Sequence, residues 1–133
     1  MSGANLEVVR QVYEAAARRD TAAILALYDP EVELDASALG IESRDGDTFR
    51  GHDGLRSLFA EWHESWGEIE YSYEELIDAG DQVVSVVTRH ARGLVSGVDV
   101  EQRFALLWTI RAAKVIRVVW FLDRGEALES ADA

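Results

Sequence analysis

The spacing of turns in the second half of the chain limits its fold more than any other feature. Residues 69–77, 83–95, 98–111 and 115–122 are rich in β-branched, aliphatic and aromatic side chains. They are joined through Ala79-Gly80-Asp81, Ser96-Gly97 and Ala112-Ala113. A parallel crossover needs a dozen or more residues, so joins this short make successive strands antiparallel hairpins. A four-strand meander of this kind must cover one of its faces, and the first half of the chain has the patterning to do so.

Leu6, Val9, Val12, Tyr13, Ala16 and Ala17 recur at three- and four-residue spacing, ahead of Arg18 and Arg19, which suit the negative end of a helix dipole. Asp20 or Thr21 can cap a second helix with Ile24, Leu27 and Tyr28 inward, and Pro30 stops it. Residues 31–36 alternate Val32, Leu34 and Ala36 with acids, the period of a half-buried strand. Residues 37–50 read as a polar surface loop able to fold over a pocket mouth. A third helix runs from near Asp53 to Gly67, its buried stripe made of Leu55, Leu58, Phe59, Trp62 and Trp66. Asp123 followed by Glu126 starts a short C-terminal helix through Ala127 and Leu128. The order is α-α-β-α-β-β-β-β plus that helix. The fold class is α+β, a curved antiparallel (mixed-edge) sheet with three N-terminal-half helices on its concave face, read as one domain over residues 1–133.

Charge and composition narrow the partners. With 25 acids against 13 Lys and Arg, the net charge of −12 repels nucleic acid and anionic lipid surfaces. The absence of cysteine removes disulfides, thiol nucleophiles and Cys-based zinc sites. No His, Asp or Glu grouping has metal-ligand spacing, and no cofactor is implied. No apolar run reaches membrane-span length and residues 1–5 lead directly into a helical pattern, so a cytoplasmic protein is expected.

The Ser96-Gly97 turn predicts a register: Val95 opposite Val98, hence Arg89 opposite Phe104, Val87 opposite Leu106 and His90 opposite Arg103. One face then carries Ser85, Val87, Arg89, Ala91, Gln102, Phe104, Leu106 and Trp108, and is the face under the helices. Arg89 becomes a cation in an apolar interior, in need of a carboxylate, carbonyls, water or a ligand. The last strand is apolar on both sides, with Ile116, Val118, Trp120 and Leu122 opposed to Val115, Val119 and Phe121. The second row predicts a homodimer through the outer sheet face.

The element order resembles the nuclear transport factor two-like superfamily, and its SnoaL-like branch across nearly the whole chain. Val12-Tyr13 with Asp20, the run Leu27-Tyr28-Asp29-Pro30-Glu31-Val32, Phe49-Arg50-Gly51, Ala79-Gly80-Asp81 and the hairpin from Trp108 to Asp123 carry the resemblance. It implies a cone-shaped fold with a deep pocket between sheet and helices, often with sheet-face dimers. It also implies a range of activities, from polyketide cyclases, steroid isomerases, epoxide hydrolases and dehydratases to noncatalytic binding domains. Carried across position by position, the isomerase's general-base aspartate falls on Ala36 and its second, protonated aspartate near Leu106. Its tyrosine donor falls on Val12 or, one residue on, Tyr13. The epoxide-hydrolase arrangement finds Arg89, but Ala91 and Trp120 where its aspartates would stand.

The candidate ligand-binding residues are therefore Tyr13, Trp62, Trp66, Arg89, Gln102, Trp108 and Trp120, with no catalytic residue assigned. Four tryptophans facing one interior favour an apolar or aromatic small molecule. His52, His63 and His90 are weak general-base candidates, His63 the best of them because it neighbours Trp62. The leading function is small-molecule binding, with isomerase, cyclase or lyase chemistry on a cyclic substrate as its enzymatic form. The alternatives are a noncatalytic ligand-binding or sensory domain and a dimeric protein-interaction module.

Overall fold

The computed structural model describes residues 2–18, 20–35, 48–93, 97 and 99–132. Helix α1 (Ser2–Ala17) buries Val8, Val9, Val12 and Ala15. Helix α2 (Thr21–Leu27) is capped by Asp20, whose carboxylate accepts from the Ala23 amide at 3.1 Å. The chain leaves this helix at Tyr28, two residues before Pro30, and passes directly into β1 (Tyr28–Asp35). A proline pushes the residue before it out of helical geometry, so the helix ends early and Pro30 lies within the strand. It is tolerated there because the ladder from β1 to β6 (Lys114–Phe121) shifts register between Tyr28 and Glu33, where no amide is needed.

The expected loop over 37–50 ends in a strand, β2 (Thr48–Arg50), antiparallel to β1, and the segment 36–47 lies outside the described residues. Glu33 faces Arg50 and bridges to it at 2.9 Å. Helix α3 (Gly51–Ser65) starts at Gly51, earlier than Asp53. Gly51 has φ of 72°, and a Cβ there would stand 3.0 Å from the Pro30 carbonyl oxygen, so this close approach calls for glycine. The helix stops before Trp66, which opens β3 (Trp66–Ala79) through pairing with Gly93 instead of completing the helical stripe.

With β4 (Gln82–Gly93) and β5 (Asp99–Arg111), the sheet runs β2-β1-β6-β5-β4-β3. Every neighbouring pair is antiparallel except β1 and β6, which are parallel. The β4–β5 register differs from the expected one by two residues. Arg89 pairs with Gln102, Val87 with Phe104 and His90 with Glu101. Pairing is symmetrical about a point one residue earlier than Ser96-Gly97, which leaves Gly97, at φ 69°, on the outgoing side of the turn. Because side chains alternate with period two, a shift of two leaves both face assignments intact. Arg89 is inside and His90 is exposed.

Val87, Phe104, Leu106, Trp108, Val118 and Trp120 form one core with Val32 and Leu34 of β1, Ile24 and Leu25 of α2, the inward row of α1, and Leu55 of α3. Val115 joins this core too, contrary to its expected place beside Val119 and Phe121, because a bulge at Thr109 and Ile110 changes the alternation of β6. Helix α4 (Arg124–Asp132) lies on the opposite side of the sheet. Ala127 packs there with Val84, Ala105 and Leu107, and Val119, Phe121 and Leu128 pack against them. The second apolar row thus finds a cover within its own chain, where a second subunit was expected to supply it. Asp123 caps α4, accepting from the Glu126 amide at 2.8 Å. Arg124 clamps Glu75 of β3 with two hydrogen bonds at 2.9 and 3.2 Å, and the carboxylate holds the guanidinium more firmly in its charged form. Among the described residues no helix is long and apolar enough to cross a membrane.

Candidate functional site

Residues of α1, α2 and β1 face the inner rows of β4, β5 and β6 across a half-open cavity of about 70 Å³. Its wall consists of Val12, Tyr13 and Ala16 of α1, Ile24 of α2, Tyr28 of β1, Val87 of β4, Phe104, Leu106 and Trp108 of β5, and Trp120 of β6. The alternation of strands and the repeat of α1 bring these residues together, since each lies on the inward row of its element. Among the described lining residues there is no carboxylate and no imidazole. Polar atoms enter this wall only as two phenol hydroxyls and two indole N–H groups. The cavity has less than half the volume, roughly 150 Å³, of an engineered apolar cavity that holds benzene, and it is open on one side.

The aromatic groups are ordered by a shared hydrogen-bond centre. Ser85, fully buried on β4, receives the Trp108 indole N–H at 2.8 Å, and its Oγ lies 2.8 Å from the Tyr13 hydroxyl. Tyr13 meets Trp108 edge-on with ring centroids 5.9 Å apart, and Tyr28 lies 6.3 Å from Trp108. Tyr73 of β3 lies against the outer side of Tyr13 at 5.1 Å.

Further along the same face, the Arg89 side chain is 7% exposed. Its guanidinium donates to the Gln102 side-chain carbonyl and lies over the Phe104 ring, 5.6 Å from the centroid. Phe104 thus separates Arg89 from the aliphatic part of the cavity while touching both.

Of the residues singled out from sequence, Tyr13, Trp108 and Trp120 come together in the cavity wall, and Arg89 and Gln102 form a pair beside it. The side chains of Trp62, Trp66 and His63 fall outside the described residues. His52 binds the Tyr28 carbonyl oxygen through Nε2 at 2.9 Å, and so ties the start of α3 to β1. Leu106 and Trp120, where the resemblance would put acids, are apolar parts of the wall. Sequence reasoning missed Tyr28, Phe104 and Ser85 as parts of the site. Phe104 and Ser85 were on the inner row already, and the spacing of Ser85, Phe104 and Trp108 on paired strands was the available signal. Among the described residues no group of three His, Asp or Glu could hold a metal ion.

The family model of the SnoaL-like domain matches residues 9–118. No curated protein matches the chain. Among solved structures, TerC co-crystallised with polyporic acid is 26% identical, with 98% of this chain and 99% of that one covered and a TM-score of 0.78. An NTF2-like protein of unknown function from Burkholderia pseudomallei is also 26% identical, with all of both chains covered and a TM-score of 0.78. A Mycobacterium tuberculosis protein in complex with estradiol-17β-hemisuccinate is 15% identical, with 92% of this chain and 95% of that one covered and a TM-score of 0.75, a likeness of fold.

Proposed function

The chain belongs to the SnoaL-like domain family, and from that premise we propose that it binds a small, apolar or aromatic ring molecule in the cavity between α1, α2 and the sheet. The observation that carries this reading is the wall itself: five aromatic rings and five aliphatic residues, with hydroxyl and indole groups as its polar atoms. Such a wall rewards ring burial and fixes orientation through few hydrogen bonds. Arg89 gives the second half of the reading. A ligand whose ring occupies the cavity and whose oxygen passes Phe104 reaches a guanidinium already oriented by Gln102. That neighbouring folds were crystallised with polyporic acid and with a steroid hemisuccinate supports a ligand bearing an acidic group.

A binding or sensory role fits the wall better than isomerase, cyclase or lyase chemistry. An enzyme acting on a cyclic substrate here would have Tyr13 as a proton donor and would need a base from beyond the described lining residues. A homodimer also belongs to the proposal. Leu122, expected inward beside Trp120 but 60% exposed one residue past the end of β6, and the charged outer row of His90, Glu101 and Arg103 are the surfaces that a second copy would cover.

The test is native purification followed by mass spectrometry of the small molecules released on unfolding, with titration of a naphthoic acid and of naphthalene followed by tryptophan fluorescence. We expect both rings to quench, and the acid to bind more tightly. Arg89→Ala should weaken the acid by about 1.5–3 kcal/mol, the range for a charge-assisted hydrogen bond, and leave naphthalene unchanged. Arg89→Lys should restore part of the loss, since a point charge does not reproduce the planar fork. Failure of either ring to bind, with no molecule retained through purification, would refute the reading.

A further inference from the structure

A second cavity, of about 330 Å³ against 70 Å³ for the aromatic one, lies where the β3–β4 and β5–β6 turns meet the first turns of α1. The two share no lining residue. Pockets that hold small ligands begin at roughly 300 Å³, so this one is large enough on its own. Hydrogen bonds build its frame. Asn5 Nδ2 donates to the Gly80 carbonyl at 3.0 Å and ties α1 to the β3–β4 turn. The Ile110 amide donates to the Asp81 carbonyl at 3.0 Å, and the Gln82 side-chain amide to Thr109 Oγ1 at 3.3 Å, which fix the same turn against β5.

The polar groups that this frame leaves in the wall are sorted by kind. Asp81 and the Asn5 Oδ1, both at the β3–β4 turn, accept; Arg111 and the Thr109 hydroxyl, both on β5, have protons to give. Among the described residues the Asp81 carboxylate and the Arg111 guanidinium enter no hydrogen bond or ion pair with each other or with a third group, and both side chains are exposed. An anion drawn to Arg111 would be repelled by Asp81 and by the net charge of −12, and a cation drawn to Asp81 would meet Arg111. A molecule with a charge of each sign satisfies both ends. Arg111 follows the residue whose amide is bonded to Asp81, on a strand about 4.8 Å away, so a short spacer between the ligand's charges is enough. Ala112 and Ile116 add apolar surface to the wall, Ala112 from a φ of 51° that glycine would adopt with less strain.

We propose that this cavity is a separate binding site for a small aliphatic α-amino acid. Its ammonium lies between Asp81 and the Asn5 Oδ1, its carboxylate on Arg111 and the Thr109 hydroxyl, and its side chain against Ala112 and Ile116. The site is independent of the ring-binding cavity, and neither reading rests on the other.

An NMR titration of protein labelled at its isoleucine methyl groups tests it, with L-valine compared against isobutylamine and isovalerate, which are valine without its carboxylate and without its ammonium. Valine should move the methyl signals of Ile110 and Ile116, which line this cavity, and leave that of Ile24 in the aromatic cavity in place. It should bind about tenfold or more tightly than either singly charged analogue, the worth of one charge-assisted hydrogen bond. Asp81→Asn should weaken valine by about tenfold and tighten isovalerate, whereas Arg111→Gln should weaken valine and tighten isobutylamine. Because both side chains are exposed, neither variant should lose its fold. Unmoved Ile110 and Ile116 methyls would overturn the proposal. So would valine that bound no better than isovalerate, or that bound both variants as it binds the wild type.

Discussion

Residues at this site matter less for their chemical type alone than for the neighbour that orients them. Ser85 is small and uncharged, yet it is the acceptor for a buried indole N–H. Ser85→Ala should lower the unfolding free energy by about 1–3 kcal/mol, the cost of an orphaned buried donor, as measured by urea denaturation. Trp108→Phe in the Ser85→Ala background should recover part of that loss, because both partners of the lost bond are then apolar. The candidate site was legible in the sequence to the same degree. Strand alternation put Tyr13, Arg89, Gln102, Trp108 and Trp120 toward one interior, which the structure shows as an aromatic cavity with a guanidinium beside it. Alternation specifies the face on which a side chain lies but not the atom it reaches. The Ser85 centre and the contact of Arg89 with Phe104 depend on register and rotamer, and a single sequence does not encode these in any local pattern.

Among the elements, the β5–β6 hairpin shows how local strain can be overridden. Arg111 pairs with Lys114 across a two-residue turn in which Ala112 has φ of 51° and Ala113 φ of 63°. That is the geometry for which Asn-Gly is strongly preferred, and each alanine sits in a left-handed conformation that costs about 1–2 kcal/mol. Ala113→Gly should therefore raise stability by about 1 kcal/mol, visible as a higher urea midpoint with unchanged slope. The turn was foreseeable despite its residues, because apolar strands on both sides left no room for a longer join. The β4–β5 turn was harder to place. Its glycine marks the neighbourhood of a turn and not its centre, and the two-residue error in register followed from treating it as the centre. Trp66 and β2 were misread for a related reason: both owe their strand conformation to a partner, Gly93 in one case and β1 in the other, that lies far away in the sequence.

For the whole molecule, α4 changes the meaning of the apolar outer row. Phe121 packs with the cluster that Ala127 and Leu128 close, so a charge there disrupts an intrachain contact. Phe121→Glu should cost about 2–4 kcal/mol by burying an unpaired carboxylate or undocking α4, with the loss seen in thermal unfolding at any protein concentration. A loss that appeared only on dilution would instead place Phe121 between subunits. The parallel contact of β1 with β6 has another consequence, for the order in which the protein is made. β1 leaves the ribosome long before β6, with β2, α3, β3, β4 and β5 synthesised in between, and among the described residues its only other pairing is the short ladder to β2. Until Lys114–Phe121 emerges, β1 has no strand of the meander to pair with. Such long-range closure is slow and leaves apolar strand edges exposed during synthesis. A nascent chain halted after β5 should therefore be cut readily by protease within β1, and release of one further strand should protect it. The last strand of the sheet to be synthesised is the one that lets the first strand fold.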